Sequence, residues 1–242
     1  PELRAEAIAA GGGHAVFLGE GSPLSQAQGL GFEGPVSPED LSRMERFFRE
    51  RGECTQIEVA SLADPSLLSA LSQRGYLIAE QSHSLIHDFA GVSTSPPSST
   101  PGEIQVSPVE PGDLERWVDL ILGCFFDGPD AAPPSLREGA IAMTEAEGNT
   151  SWVATIDGEP AGGAGMMIMD GLALMYGDGT LPRFRGRGVQ ARLLQARLAV
   201  AHDRGADLAS IFTQPGSGSQ RNAERQGFRM AYARTLMTLG RE

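Results

Sequence analysis

The sequence predicts an α/β (α+β) protein of two tandem units, and three observations carry that expectation. First, the order long helix, strand, short helix, strand occurs twice: "SPEDLSRMERFFRERG", "CTQIEVASL", "DPSLLSALSQ" and "RGYLIAEQSHSLI" are echoed by "GVQARLLQARLAVAHDRG", "ADLASIFTQ", "SQRNAERQ" and "GFRMAYARTLM". Second, the punctuation repeats. Arg51-Gly52 and Arg204-Gly205 end the long helices, Gly75-Tyr76 and Gly227-Phe228 end the short ones, and the two Gly-to-Gly separations are 23 and 22 residues. Third, "AGVSTSPPSSTPGE" is dense in Ser, Thr, Pro and Gly without apolar periodicity, which reads as a linker. The expected organisation is therefore a unit over residues 1–90, a linker over 91–103 and a unit over 104–242.

The elements follow in order. "GEGSPLSQAQGLG" is strand and turn. The first helix starts at the capping residue Ser37. In the second half "IQVSPVEP" is a strand. "GDLERWVDLILGCFFD" is a helix with Trp117, Leu120, Ile121, Cys124 and Phe125 on one face, and "PPSLREGAIAMTEAEG" is a helix opened by proline. The dipeptides Asp157-Gly158 and Asp170-Gly171 are hairpin signals, so the run from Thr150 to Leu181 is a meander of three antiparallel strands. Val189, Leu193, Ala196 and Val200 then form the apolar stripe of a helix.

Bulk composition excludes several classes. With 40% hydrophobic and 21% charged residues the chain is an ordinary globular one. No window is apolar for long enough to cross a bilayer, and no cleavable signal is seen, so no membrane role is expected. Cys54 and Cys124 are the only cysteines, which fits a reducing, cytoplasmic setting rather than a disulfide framework. A net charge of -12 disfavours nucleic acid as a partner. His83 and His87 lie about 13 Å apart along a strand, too far to share a metal, and no metal site is expected.

Against that acidic background, Thr180 to Ala201 contains five arginines and no acid. It lies where a strand pattern gives way to a helix, and helix N-termini bear unpaired N–H groups and about half a positive charge. Gly186 and Gly188 allow a ligand close to the backbone, and Arg183, Arg185 and Arg187 add charge, so the segment suits a phosphate. The dinucleotide fingerprint fails because Ala191 stands where its third glycine is needed. The P-loop fails because no Gly-Lys-Ser/Thr follows.

Arg183-Phe184-Arg185-Gly186-Arg187-Gly188 fits R-x-x-G-x-G and resembles the acyl-coenzyme-A motif of the GNAT superfamily of N-acyltransferases. The resemblance covers about Ile104 to Leu239, and the N-terminal half looks like a second, degenerate copy without the loop. It implies two GNAT-like units, each a mixed, mostly antiparallel sheet flanked by helices, that frame an acceptor cleft. It further implies acetyl-CoA as co-substrate and acetyl transfer to an amine on a small molecule or peptide. A homodimer is compatible with it.

By the same resemblance the backbone amides from Arg185 to Gln190, Val189 among them, hold the pyrophosphate. Thr180 and Leu181 face the pantetheine and acyl carbonyl, between splayed strands "LALMYGDGTL" and "DLASIFTQ". The arginine side chains either serve the phosphates or are solvated. Presenting an amine of pKa near 10.4 in its neutral form costs about 4 kcal/mol at neutral pH, so a base is expected. Asp178 is the candidate, with a bulge role beside Gly177 and Gly179 as the alternative, and Tyr176 is a weaker one. The family's tyrosine four residues before the "GF" glycine is replaced by Ala223. Ser217, Ser219 and Asn222 lie nearby and either bind the pantetheine or a water, or serve as loop and capping residues. A binding module without catalysis, and a nucleic-acid patch on the arginines, are the competing readings.

Overall fold

The computed structural model describes residues 5–90 and 104–240; the linker expected over 91–103 lies outside them. Along the first half run β1 (Glu6–Ala10), β2 (Gly13–Phe17), β3 (Gln26–Gln28), α1 (Pro38–Arg49), β4 (Thr55–Ala60), α2 (Ser66–Gln73) and β5 (Leu77–Asp88). The second half begins with β6 (Gln105–Pro108), α3 (Leu114–Phe125), α4 (Pro134–Glu145), β7 (Asn149–Ile156), β8 (Glu159–Met169) and β9 (Leu172–Thr180). It ends with α5 (Val189–Asp203), β10 (Leu208–Thr213), α6 (Gly218–Arg225) and β11 (Arg229–Leu239).

These elements form two compact units that are interleaved along the chain: one takes residues 5–83, 133–139 and 232–240, the other 84–90, 104–132 and 140–231. The division at 1–90 and 104–242 drawn from the sequence is simpler than this. Strand pairing is the reason: residues 234–239 of β11 form an antiparallel ladder with β4, from Arg234 opposite Ala60 to Leu239 opposite Thr55.

In the first unit β1, β2 and β3 are antiparallel, and β3 then pairs in parallel with β4 through Ala27 and Ile57. Helix α1 is specified locally. The Ser37 hydroxyl caps the Asp40 N–H at 3.0 Å, Pro38 occupies the first turn, and Leu41, Met44, Phe47 and Phe48 form the buried stripe. That stripe packs with Leu30, Ile57, Leu67, Leu71 and Met237.

In the second unit the order β10-β9-β8-β7-β6 is antiparallel from β6 to β9 and parallel between β9 and β10. Both Asp-Gly hairpins form: Asp157 and Asp170 hold φ of 52° and 49°, and the glycines after them hold 81° and 78°. Trp117 anchors α3 by donating its indole N–H to the Trp152 carbonyl at 2.8 Å. The buried face of α3 is Trp117, Val118, Ile121, Leu122 and Cys124; Phe125, expected on it, is 60% exposed. Helix α5 is also buried more broadly than its stripe, through Leu194, Arg197, Leu198 and Ala201. Among the described residues no helix is long and apolar enough to cross a membrane, and no cluster of His, Cys, Asp or Glu is placed to hold a metal.

Candidate active site

The site grows from two irregularities in the sheet of the second unit. Between β8 and β9 the register shifts: Gly165 faces Tyr176 and Gly163 faces Gly179, so Gly177 and Asp178 together oppose Ala164 as a bulge. Between β9 and β10 the parallel pairing runs from Leu172 opposite Leu208 to Met175 opposite Ile211 and stops there, although β9 continues to Thr180 and β10 to Thr213. A cleft of about 550 Å³ is lined by this last part of β9 and by the start of α5, within the usual size range of small-molecule sites.

A single turn of 3-10 helix, Pro182–Phe184, leads from β9 into the loop. Gly186 and Gly188 hold φ of +77° and +88°, where an L side chain is strained, and a Cβ at Gly186 would point into open space. Gly188 caps α5 without a side chain, no acid stands in the first turn, and the first bond of the helix runs from the Arg192 N–H to the Gly188 carbonyl at 3.1 Å. Val189, Gln190 and Ala191 therefore bring an uncapped, electropositive helix end to the cleft wall.

Of the residues expected from the sequence, Asp178, Thr180, Arg185, Gly186, Gly188, Val189, Gln190 and Asn222 all line this one cleft. Four others lie outside its lining. Leu181 packs, partly buried, against the apolar cluster that contains Trp152, Phe184 and Val189. Arg183 is exposed, 3.5 Å from Glu159, and both Arg183 and Arg187 sit over the Phe184 ring, at 4.8 and 5.6 Å. Tyr176 gives its hydroxyl hydrogen to Asn149 Oδ1, and burial pushes its phenol up to about 12. Arg185 turns inward, donating to the carbonyls of Cys124 at 3.0 Å and Thr180 at 3.3 Å. Cys124 and Phe125 complete the wall opposite, and burial pushes the Cys124 thiol up to about 11.

Asp178 lies in the bulge and also lines the cleft. Its side chain is 7% exposed and is ion-paired through Oδ1 to Nη2 of Arg197, while Oδ2 is buried without a hydrogen-bond partner. Burial pushes its carboxyl above the ordinary range, against the pull of the Arg197 guanidinium. Arg197 was not singled out from the sequence. Its only signal there is a position one residue beyond Ala196 of the stripe, where an arginine usually reads as solvated.

On α6, Ser217 is the N-cap, accepting from the Gln220 N–H at 3.1 Å. Ala223 is fully buried in the core and brings no hydroxyl. Beside the cleft a polar chain has a fixed direction. Arg225 can only donate, so Asn222 turns Oδ1 to it at 3.2 Å and gives its amide N–H to Gln190 at 2.7 Å. Gln190 in turn donates to Ser219 Oγ at 2.8 Å. The hydroxyl hydrogen of Ser219 remains available.

The fold is similar to that of solved GCN5-related N-acetyltransferases. Residues 114–228 match the model of the Acetyltransferase (GNAT) family. A GCN5-related N-acetyltransferase from Kribbella flavida superposes with a TM-score of 0.72 at 18% identity, over 97% of this chain and 89% of that one. One from Sphaerobacter thermophilus gives 0.69 at 19% identity, over 88% and 72%. A tandem GNAT protein from the clavulanic acid biosynthesis pathway gives 0.66 at 14%, over 94% and 78%. No curated protein matches the sequence significantly.

Proposed function

We propose that the second unit binds acetyl-CoA and transfers its acetyl group to an amine of a small molecule or peptide. The observation that carries this reading is the cleft lined by the end of β9 beyond its pairing with β10 and walled by the uncapped first turn of α5 and by Gly186 and Gly188. The backbone amides there suit a pyrophosphate. Beyond Met175 the edge of β9 is no longer paired with β10, which suits an extended, amide-bearing arm such as pantetheine.

The amine nitrogen attacks the thioester carbonyl, the C–N bond forms, the C–S bond breaks, and the sulfur departs as thiolate. Asp178 receives the amine proton, directly or through a water, and a raised carboxyl has a greater affinity for that proton at neutral pH. The thiolate takes up a proton from solvent or from Ser219, because Ala223 has none to give. The first unit is a degenerate copy. Its strand pattern, antiparallel and then parallel on either side of α1, matches that around α5, but α1 is capped by its own Ser37 and starts with Glu39 and Asp40. The chain has two unpaired cysteines, which suits a cytoplasmic enzyme.

A second reading, an acyl-CoA-binding module without turnover, is favoured by the core alanine at position 223. Calorimetric titration with acetyl-CoA and coenzyme A tests both. Saturable binding at one site per chain is expected, followed by thiol release with some members of an amine panel. Binding without release over that panel selects the second reading, and no binding at millimolar ligand refutes both.

A further inference from the structure

Asp178 is expected to accept a proton, yet it lines the cleft in surroundings that favour a neutral carboxylic acid. Burial is the largest influence on it and raises its proton affinity. A carboxyl that is already protonated cannot act as a base, so an opposing influence is required.

Arg197 has the geometry to supply it. Its side chain is wholly buried on α5, and three of its donors are committed: Nε to the Leu193 carbonyl at 3.1 Å, Nη1 to the Gly165 carbonyl at 2.8 Å, and Nη2 to Asp178 Oδ1. Gly165 lies in the strand opposite the bulge, directly facing Tyr176. The guanidinium is thereby tied to its own helix, to β8 and to β9. A guanidinium does not lose its proton in a protein, and a buried one left without an anion is strongly destabilising. Of the other titratable groups nearby, Arg185 is a second cation of the cleft lining, but it is not bonded to Asp178. The Tyr176 phenol and Cys124 thiol are held neutral by burial, and Arg185 is bound to the carbonyls of Cys124 and Thr180.

We propose that Arg197 is the positioning residue of this site: clamped in the core, it holds Oδ1 of Asp178, keeps the carboxylate ionised, and leaves Oδ2 as the one oxygen that can take a proton. The unsatisfied Oδ2 is the observation that separates this role from a structural tie. A purely structural ion pair of this depth would be expected to satisfy both oxygens. The inference deepens the acetyl-transfer reading and rests on it.

The test reads the carboxyl itself and needs no acceptor. Protein labelled with [4-13C]aspartate is titrated by NMR, with the Asp178 resonance assigned by its loss in Asp178→Asn. In the wild type this resonance is expected at the carboxylate position at pH 7. In Arg197→Met its midpoint is expected to move up by about one unit or more, the contribution of an opposite charge at contact distance. Arg197→Lys, which keeps a cation and covers the case in which the methionine variant does not fold, is expected to lie between. Equal midpoints in wild type and in whichever variants fold, or an Asp178 already protonated at pH 7 in the wild type, overturn the proposal. Titration of the same wild-type sample with acetyl-CoA separates the two failures. A silent calorimeter refutes the acetyl-transfer reading whatever the NMR shows, and saturable binding with unmoved midpoints refutes only the role of Arg197.

Discussion

Substitution of Gly188 tests the loop assignment, because strain and charge can be separated there. The residue holds φ of +88° and ψ of 8°, in the left-handed region, so any L side chain costs roughly 1–2 kcal/mol of backbone strain. A Cβ added there meets only Ile104 Cδ1 at 3.9 Å, an ordinary contact. Gly188→Ala thus carries the strain alone, and the melting temperature should fall by about 2–4 °C per kcal/mol in a protein of this size. Gly188→Asp adds a negative charge at the helix end proposed to meet a pyrophosphate. Two like charges at about 4 Å near a protein surface repel by about 4 kcal/mol, which is about three decades in affinity. Calorimetric titration with coenzyme A should find the alanine variant within about tenfold of wild type and the aspartate variant without measurable binding. An aspartate variant that still binds within tenfold of wild type would mean that no phosphate sits at this turn.

Three further outcomes follow from the buried groups. Asp178→Asn should lower the rate of thiol release far more than the affinity for acetyl-CoA. In the wild type that rate should rise with pH as Asp178 deprotonates, above the ordinary carboxylate range; a variant with an unchanged pH–rate profile would rule out Asp178 as the base. His87 is buried between the Phe89 and Phe228 rings, at 5.0 and 5.4 Å, and burial lowers its pKa below the ordinary 6.5. The unfolded chain then binds more protons, so stability should be lost as pH falls from about 6.5 towards the folded value. A His87→Asn variant that loses melting temperature in parallel with wild type between pH 7.5 and 5 would refute that assignment. Cys124, raised to about 11 by burial in the cleft wall, should be alkylated much more slowly at pH 8 than the half-buried Cys54. Equal rates, followed by mass spectrometry, would contradict the burial.

Local chemistry made most elements readable, and long-range pairing hid the rest. Ser37 and Pro38 announce α1, Asp157-Gly158 and Asp170-Gly171 announce their hairpins, and Gly186 and Gly188 announce the turn into α5, because each acts on backbone within a few residues. The ladder between β11 and β4 leaves no such trace, since both strands would alternate in the same way beside any partner. The hairpin of β1 and β2 went unread although Gly11 and Gly12 form its turn, with φ of +59° and +81°. In the site, the cleft-lining part of the loop was legible and the pair beneath it was not. Arg197 reads as one of five arginines in a basic segment, and its burial depends on a carboxylate 19 residues away whose direction is set by a bulge.

The two long helices show why element order alone does not determine binding. Both α1 and α5 follow a strand, precede a parallel neighbour of that strand, and carry buried apolar stripes. Their first turns differ in each property an anion would sense. At α1 the Ser37 hydroxyl already holds the Asp40 N–H, Pro38 has no N–H to offer, and Glu39 and Asp40 oppose the positive end of the dipole. At α5 no side chain caps the turn, no acid lies in it, and glycines bring the backbone to the cleft surface. A phosphate approaching α1 would have to displace a formed cap and face two carboxylates, whereas one approaching α5 meets free N–H groups. The proposed stoichiometry of one coenzyme per chain follows from that difference, and two equivalent sites in the titration would contradict it.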